Sequence, residues 1–216
     1  MRPQIGQYWL VFLRGAGTTL WLSWLALVLG GVIGVGVGLA RLSPWRLLRG
    51  AALVYTEVLR SFPPLILFFG CFYGISFALG VDLSPFAAAT IALSAEASAF
   101  MSEVVRSGVE SVGRGQWEAA RSSGLRFWQI MRHVVGPQAI PVMLPPAVGV
   151  YIATLKDSSL ASVIGYVELT KAGMLVRETT GVSFQVFIIV AVMYFVINYS
   201  ISLGGAALER KFGFHI

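Results

Sequence analysis

Four groups of charged residues stand in a chain that is otherwise strongly apolar. Glu96 interrupts ALSAEASAF. Lys156 and Asp157 are adjacent and are followed by Ser158 and Ser159. Glu57 and Arg60 lie three apart in YTEVLRSFPPL. The stretch GQWEAARSSGLRFWQIMRHVVGPQA, from Gly115 to Ala139, holds Glu118, Arg121, Arg126, Arg132 and His133. The chemistry open to these residues is ion pairing, attraction of a charged ligand and docking of a partner. Bond-making chemistry has no motif to stand on: neither GxSG nor HExxH occurs, and none of Lys156, Lys171 and Lys211 follows a glycine, which excludes a Gly-Lys-Ser/Thr phosphate loop. His133 and His215 are far apart and imply no metal site, and the single cysteine, Cys71, excludes an internal disulfide.

The elements that position these charges are membrane helices. The 216 residues are 56% hydrophobic and 12% charged, against roughly 25% charged in a soluble domain. A helix needs about 20 mostly apolar residues to cross the hydrocarbon core, where an unpaired backbone group finds no partner. Five segments meet that demand, at about 17–40, 52–80, 85–106, 138–156 and 183–205. The expected fold is therefore all-α and integral to the membrane, with five transmembrane helices in a single domain over 1–216. The apolar run from Thr18 is too long for the h-region of a cleavable signal and is expected to stay as the first helix. Ahead of it, the short aromatic YWLVFLR suits the membrane interface.

An odd number of spans puts the termini on opposite sides, and the cations choose between them. With the C-terminus inside, Arg41, Arg46, Arg49, Arg106, Arg114, Arg121, Arg126, Arg132, Arg210 and Lys211 are cytoplasmic, and Arg2, Arg14, Lys171 and Arg177 are outside. Ten against four favours N-out, C-in. The net charge of +6 then reads as topology and contact with membrane lipid, not nucleic-acid binding, because the cations are spread over loops between spans.

The polar stretch falls between the third and fourth spans. Gly113 and Gly115 flank Arg114, Gln116 to Ser123 are good helix formers, and Gly124 ends that short helix. After it, Phe127, Ile130 and Val134 recur at helical spacing, with Arg126, Gln129, Arg132 and His133 on the other face, until Pro137 opens the next span. Two readings fit such a pair of short helices: an amphipathic loop resting on headgroups, or a docking element for a soluble partner.

Residue identity favours docking. Over about 113–137 the segment resembles the EAA loop in the permease subunits of ATP-binding-cassette importers, whose pattern is EAA-x3-G-x9-aliphatic-x-L-P. It falls on Glu118, Ala119, Ala120, Gly124, Val134 and Pro137, with Gly136 where the family usually has leucine. YTEVLRSFPPL, SAFMSEVVRSGVES and LKDSSLASVIGYVEL are similar to segments of the polar amino acid branch, although Ser61 and Phe62 replace that branch's usual Gly-Thr.

The resemblance implies a multi-pass permease of the bacterial cytoplasmic (inner) membrane that moves a polar amino acid or similar zwitterion by alternating access. It implies a second permease copy or paralogue, two ATPase subunits that bind ATP and Mg, and an extracytoplasmic solute-binding protein. This chain would itself hold no cofactor. The coupling helix, in a cytoplasmic loop between helices 3 and 4, would use Gly115, Gln116, Glu118, Ala119, Ala120, Arg121 and Gly124. The alternative from another class is an ion-gradient-coupled carrier or channel with Glu96 as its ion site.

A charge within a span costs several kcal/mol unless it finds water or a partner. Glu96 lies about 10 Å deeper than Glu103 along the helix. It either faces a central cavity and attracts a cationic group on the substrate, or packs as a protonated or hydrogen-bonded glutamate. With Glu96, the expected substrate path comprises Phe100, Lys156, Asp157, Ser158 and Ser159, and Lys156 and Asp157 equally suit local pairing at a span end. Glu57 and Arg60, one helical neighbour distance apart, are expected to form a structural ion pair. Residues 157–182, with Gly165, Gly173 and Gly181, are left open between a re-entrant segment and an outer gate.

Overall fold

The computed structural model describes residues 5–211; Arg2 and His215 lie outside them. Every regular element among the described residues is helical. In chain order they are α1 (Trp9–Arg41), α2 (Arg46–Ser61), α3 (Pro64–Leu79), α4 (Pro85–Glu110), α5 (Arg114–Ser122), α6 (Phe127–Ile164), α7 (Leu169–Thr180) and α8 (Ser183–Lys211). Four of them, α1, α4, α6 and α8, are each long and apolar enough to cross a membrane. Taken together, α2 and α3 are long and apolar enough to make a broken fifth span or a re-entrant loop.

That pair is bent by 105°. The segment 52–80 is thus divided between two helices, and the Pro63-Pro64 dipeptide is the cause. Proline forces the residue before it out of helical geometry and lacks the N–H a helix interior uses. Phe62 and Pro63 are accordingly extended, with ψ of 136° and 134°, and Pro64 opens α3.

α4 is the centre of the bundle, and small residues let its neighbours come close. Gly30, Gly34 and Gly38 recur one turn apart on α1. A β-carbon at each would lie 2.7 Å from the Ser94 carbonyl oxygen, 2.7 Å from that of Ser98 and 2.8 Å from that of Ser102, respectively. The matched advance along both chains makes α1 and α4 parallel neighbours in backbone contact, the arrangement that small residues at four-residue spacing provide where lipid supplies no hydrophobic drive. Two of these serines turn their hydroxyls to α2: Ser98 Oγ meets Tyr55 Oη at 2.6 Å and Ser102 Oγ meets Thr56 Oγ1 at 2.9 Å. Backbone on one side and hydroxyls on the other lock three helices together.

Two further layers cap this core. Towards the end where α3 meets α4, Leu22, Ala26, Phe68, Ala88, Ala92, Leu93, Ala161 and Ile164 pack into one cluster. Phe12 gathers Leu169, Val176, Val186 and Val190 from α7 and α8. Residues 157–182, open from sequence, form the last turns of α6 as a 3-10 stretch and then α7, with Gly165 and Gly181 in left-handed geometry at φ 89° and 70°.

Candidate functional site

The short helix α5 is seated on one face and free on the other. Its Ala120 is buried and Trp117 half-buried against Val109 at the end of α4, Val112 just beyond it, and Ile130, Val135 and Ala139 of α6. Gln116, Glu118, Ala119 and Arg121 face outward and are exposed, as is Gly115 at the first turn. The helix is closed by a Schellman turn: the Leu125 amide donates to the Ala120 carbonyl at 3.2 Å and the Gly124 amide to that of Arg121 at 2.9 Å. Gly124 stands at φ 76° with open space where a side chain would be. Left-handed backbone, not crowding, is what requires glycine there.

Aromatic contacts fix the next turn. Trp117 stacks on Phe127 with ring centroids 6.4 Å apart, and the Arg121 guanidinium lies 6.0 Å over the indole. The Arg126 amide donates to Gln129 Oε1 at 2.8 Å, starting α6. A cleft of about 620 Å³ opens between α5 and the end of α4, lined among others by Glu110, Arg114, Trp117, Glu118 and Arg121. The departure at Gly136 also has a structural reason. Met131–Val135 form a π turn, which brings the Met131 carbonyl oxygen to 2.5 Å from the place a β-carbon on residue 136 would occupy. Leucine does not fit this local backbone.

Glu57 and Arg60 belong to a larger assembly. Arg60 lies 3.9 Å from Glu57 Oε1 and 3.8 Å from Glu103 Oε2, with its guanidinium 5.4 Å over the Phe100 ring. Glu103 is the hub. It also accepts from Arg41 at 2.5 Å and from Arg106, which in turn bonds Glu110. The carboxylate thereby joins α1, α2 and α4.

The expected path residues do not form one group. Phe100 lines a cleft of about 380 Å³ between α4 and α6, shared with Arg60, Glu103, Pro146, Gly149 and Val150. Glu96 is half-buried on α4, close enough for its charge to interact with that of Asp157, where α6 passes from α-helix into its 3-10 turns. Lys156 and Ser159 instead line a cleft of about 320 Å³ with Thr170, Phe187 and Tyr194. Ser158 is buried, its hydroxyl donating to the Leu155 carbonyl at 2.7 Å.

A buried carboxylate outside all of these was not singled out from sequence. Glu168, 0% exposed, caps α7: its Oε1 accepts from the Lys171 amide at 2.7 Å, and its Oε2 from the Thr170 amide at 2.8 Å and from Tyr194 Oη at 2.7 Å. Burial pushes this carboxyl above its ordinary value, while the two amides and the hydroxyl act in the opposite direction. Thr19 on α1 accepts the Leu169 amide at 3.0 Å, so α1, α7 and α8 are tied at one point. The sequence signal was a glutamate placed to cap the helix that begins at Leu169; its burial was not legible.

Residues 30–213 match the family described as the binding-protein-dependent transport system inner membrane component. The chain is 36% identical over 201 residues to the probable glutamine ABC transporter permease protein GlnM of Bacillus subtilis (strain 168), covering 93% of each protein. It is 33% identical over 202 residues to the glutamine transport system permease protein GlnP of Escherichia coli (strain K12), covering 93% of this chain and 92% of that one. A crystal structure of an amino acid ABC transporter superposes with a TM-score of 0.90 at 33% identity, covering 96% of both chains. An inward-facing structure of the MetNI methionine ABC transporter shares the fold, with a TM-score of 0.81 at 24% identity over 94% of this chain and 96% of that one. The chain is a member of the family of inner membrane components of binding-protein-dependent transport systems.

Proposed function

We propose that this chain is the membrane subunit of an ATP-driven importer for a polar amino acid, lying N-out and C-in in a bacterial cytoplasmic membrane as a single domain over residues 1–216. The observation that carries the reading is α5: a helix whose inner face is fixed between two spans and whose outer face presents Gln116, Glu118, Ala119 and Arg121. A rigid ledge of this kind transmits force. An ATPase subunit, binding ATP and Mg in its own site, docks there with Gly115 and Gly124 shaping the ends of the helix. Its closure and opening move α4 and α6 together, because both pack directly on α5.

The cargo assignment rests on the glutamine and amino-acid relatives and on the charges near the middle of the bundle. Glu96 and Asp157 offer two carboxylates to a cationic group on the substrate. Phe100, with Arg60 beside it, lines one cleft of the path between α4 and α6, while Lys156 and Ser159 line a separate cleft against α8 and Ser158 is buried. Glu57 and Arg60 contribute structure through Glu103. A second permease copy or a paralogue completes the path, and an extracytoplasmic binding protein delivers the substrate.

Uptake of radiolabelled glutamine into inside-in membrane vesicles tests this reading. ATP supplied inside is expected to drive uptake that survives collapse of ion gradients, and Glu96→Gln is expected to alter substrate preference. Uptake that follows an ion gradient and is indifferent to internal ATP would instead assign Glu96 to an ion-coupled carrier.

A further inference from the structure

Four arginines converge on one cleft where α1 ends and α2 begins. Arg41, Arg46, Arg49, Gly50, Leu53 and Arg106 line a space of about 390 Å³. Arg41 is tethered, with its side chain only 7% exposed and one nitrogen bonded to Glu103. Arg106 is held by Glu103 and Glu110, yet its Nε is buried without a partner. Arg46 and Arg49 are exposed and form no ion pair among the described residues. Counting Arg60, five guanidinia meet three carboxylates here, Glu57, Glu103 and Glu110.

The placement is costly without an anion. Arg46 and Arg49 occupy the first turn of α2, which carries no acidic residue. Cations are disfavoured at a helix N-terminus, where free amides and the helix dipole already present positive charge. An anion in the cleft would answer the dipole and the two unpaired guanidinia at once. Guanidinium forks match phosphate oxygens in shape as well as charge.

We propose that this cleft binds the phosphate of an anionic phospholipid headgroup. The lipid is favoured over free phosphate by the surroundings. The cleft sits at the end of the 33-residue apolar helix α1. Around it Trp45 is 74% exposed, Leu47 90% and Leu53 45%. Exposed tryptophan and leucine beside arginines mark the headgroup level of a bilayer. The inference requires insertion in a membrane and does not depend on the identity of the transported solute.

The test is electron paramagnetic resonance of spin-labelled lipids around the full chain, reconstituted in phosphatidylcholine vesicles. Spin-labelled phosphatidylglycerol is expected to be retained over spin-labelled phosphatidylcholine by about five-fold for each guanidinium it engages. R46Q/R49Q is expected to remove most of that preference. K171Q/R177Q, which removes equal charge from α7, is expected to keep it, and R46K/R49K to retain part of it. Equal retention of both lipids by the wild-type protein overturns the proposal. So does an equal loss in the two glutamine variants, which would mean diffuse electrostatics. Displacement of the labelled lipid by inorganic phosphate, but not by chloride at the same ionic strength, would assign the cleft to free phosphate and overturn the lipid. Matched thermal unfolding of all variants separates loss of the site from loss of the fold.

Discussion

The carbonyl oxygen of Ser98 lies 2.7 Å from the point where a β-carbon on Gly34 would be. α1 and α4 therefore touch backbone to backbone, and no rotamer relieves an added side chain. Gly34→Val is expected to destabilise the protein by about 1–3 kcal/mol, the usual cost of overpacking. Gly31, where a β-carbon meets nothing within 4 Å, serves as the control, and Gly31→Ala is expected to be neutral. Thermal unfolding of the two variants in detergent decides the matter; equal behaviour would contradict the close contact.

Glu103 holds Arg41, whose side chain is almost fully buried. Glu103→Gln leaves that cation without its counter-charge, and such a loss costs about 3–5 kcal/mol. Arg60→Gln removes a longer contact, 3.8 Å, from a side chain 35% exposed, and is expected to cost at most about 1 kcal/mol. Chemical unfolding should rank Glu103→Gln far below Arg60→Gln. The reverse ranking would show that Arg60 and not Arg41 is the principal partner.

Glu168 and Tyr194 join α7 to α8 through one 2.7 Å hydrogen bond. Glu168→Gln introduces a donor where three donors converge, leaving one of them unpaired at about 1–3 kcal/mol. Tyr194→Phe alone loses less, because the carboxylate keeps both backbone amides. A double-mutant cycle is expected to show coupling of at least about 0.5 kcal/mol, and additivity would refute the contact.

Gly124 is required for its left-handed backbone, not for space. Gly124→Asn, which tolerates that conformation, is expected to preserve coupling, whereas Gly124→Val costs about 1–2 kcal/mol locally and loosens the end of α5. Substrate-stimulated ATP hydrolysis by the two variants distinguishes them. Equal loss in both would point to side-chain volume instead.

Much of this arrangement is legible in the chain itself. Apolar runs long enough to cross a bilayer locate the spans, because lipid admits few other solutions. The Glu-Ala-Ala resemblance with its spacing to Gly124 locates the loop, but Pro137 does not open a span. α6 runs unbroken from Phe127 through it, because a proline in the first turn after a π turn leaves no amide that the helix needs. The break after Phe62 was also written, in Pro63-Pro64, but an apolar segment of span length masks it. Gly30, Gly34 and Gly38 carry a readable four-residue period whose partner helix is not readable. What sequence does not reveal is convergence. Glu103 meets Arg41 across 62 positions, and Thr19 meets the Leu169 amide across 150; neither pair has a local pattern. The separation of Phe100 from Lys156 into different clefts has the same origin, since both are polar or aromatic at plausible depths and only packing decides which wall each faces.

The central claim is that the outer face of α5 receives the ATPase. Ala119 is exposed there, so Ala119→Trp adds bulk to the docking face without entering the core. ATP hydrolysis by the tagged chain purified from its native membranes in mild detergent measures the bound ATPase directly. The account predicts activity with the wild-type chain and its loss with Ala119→Trp, while the variant stays folded and in the membrane. Undiminished activity with Ala119→Trp would contradict docking at this face.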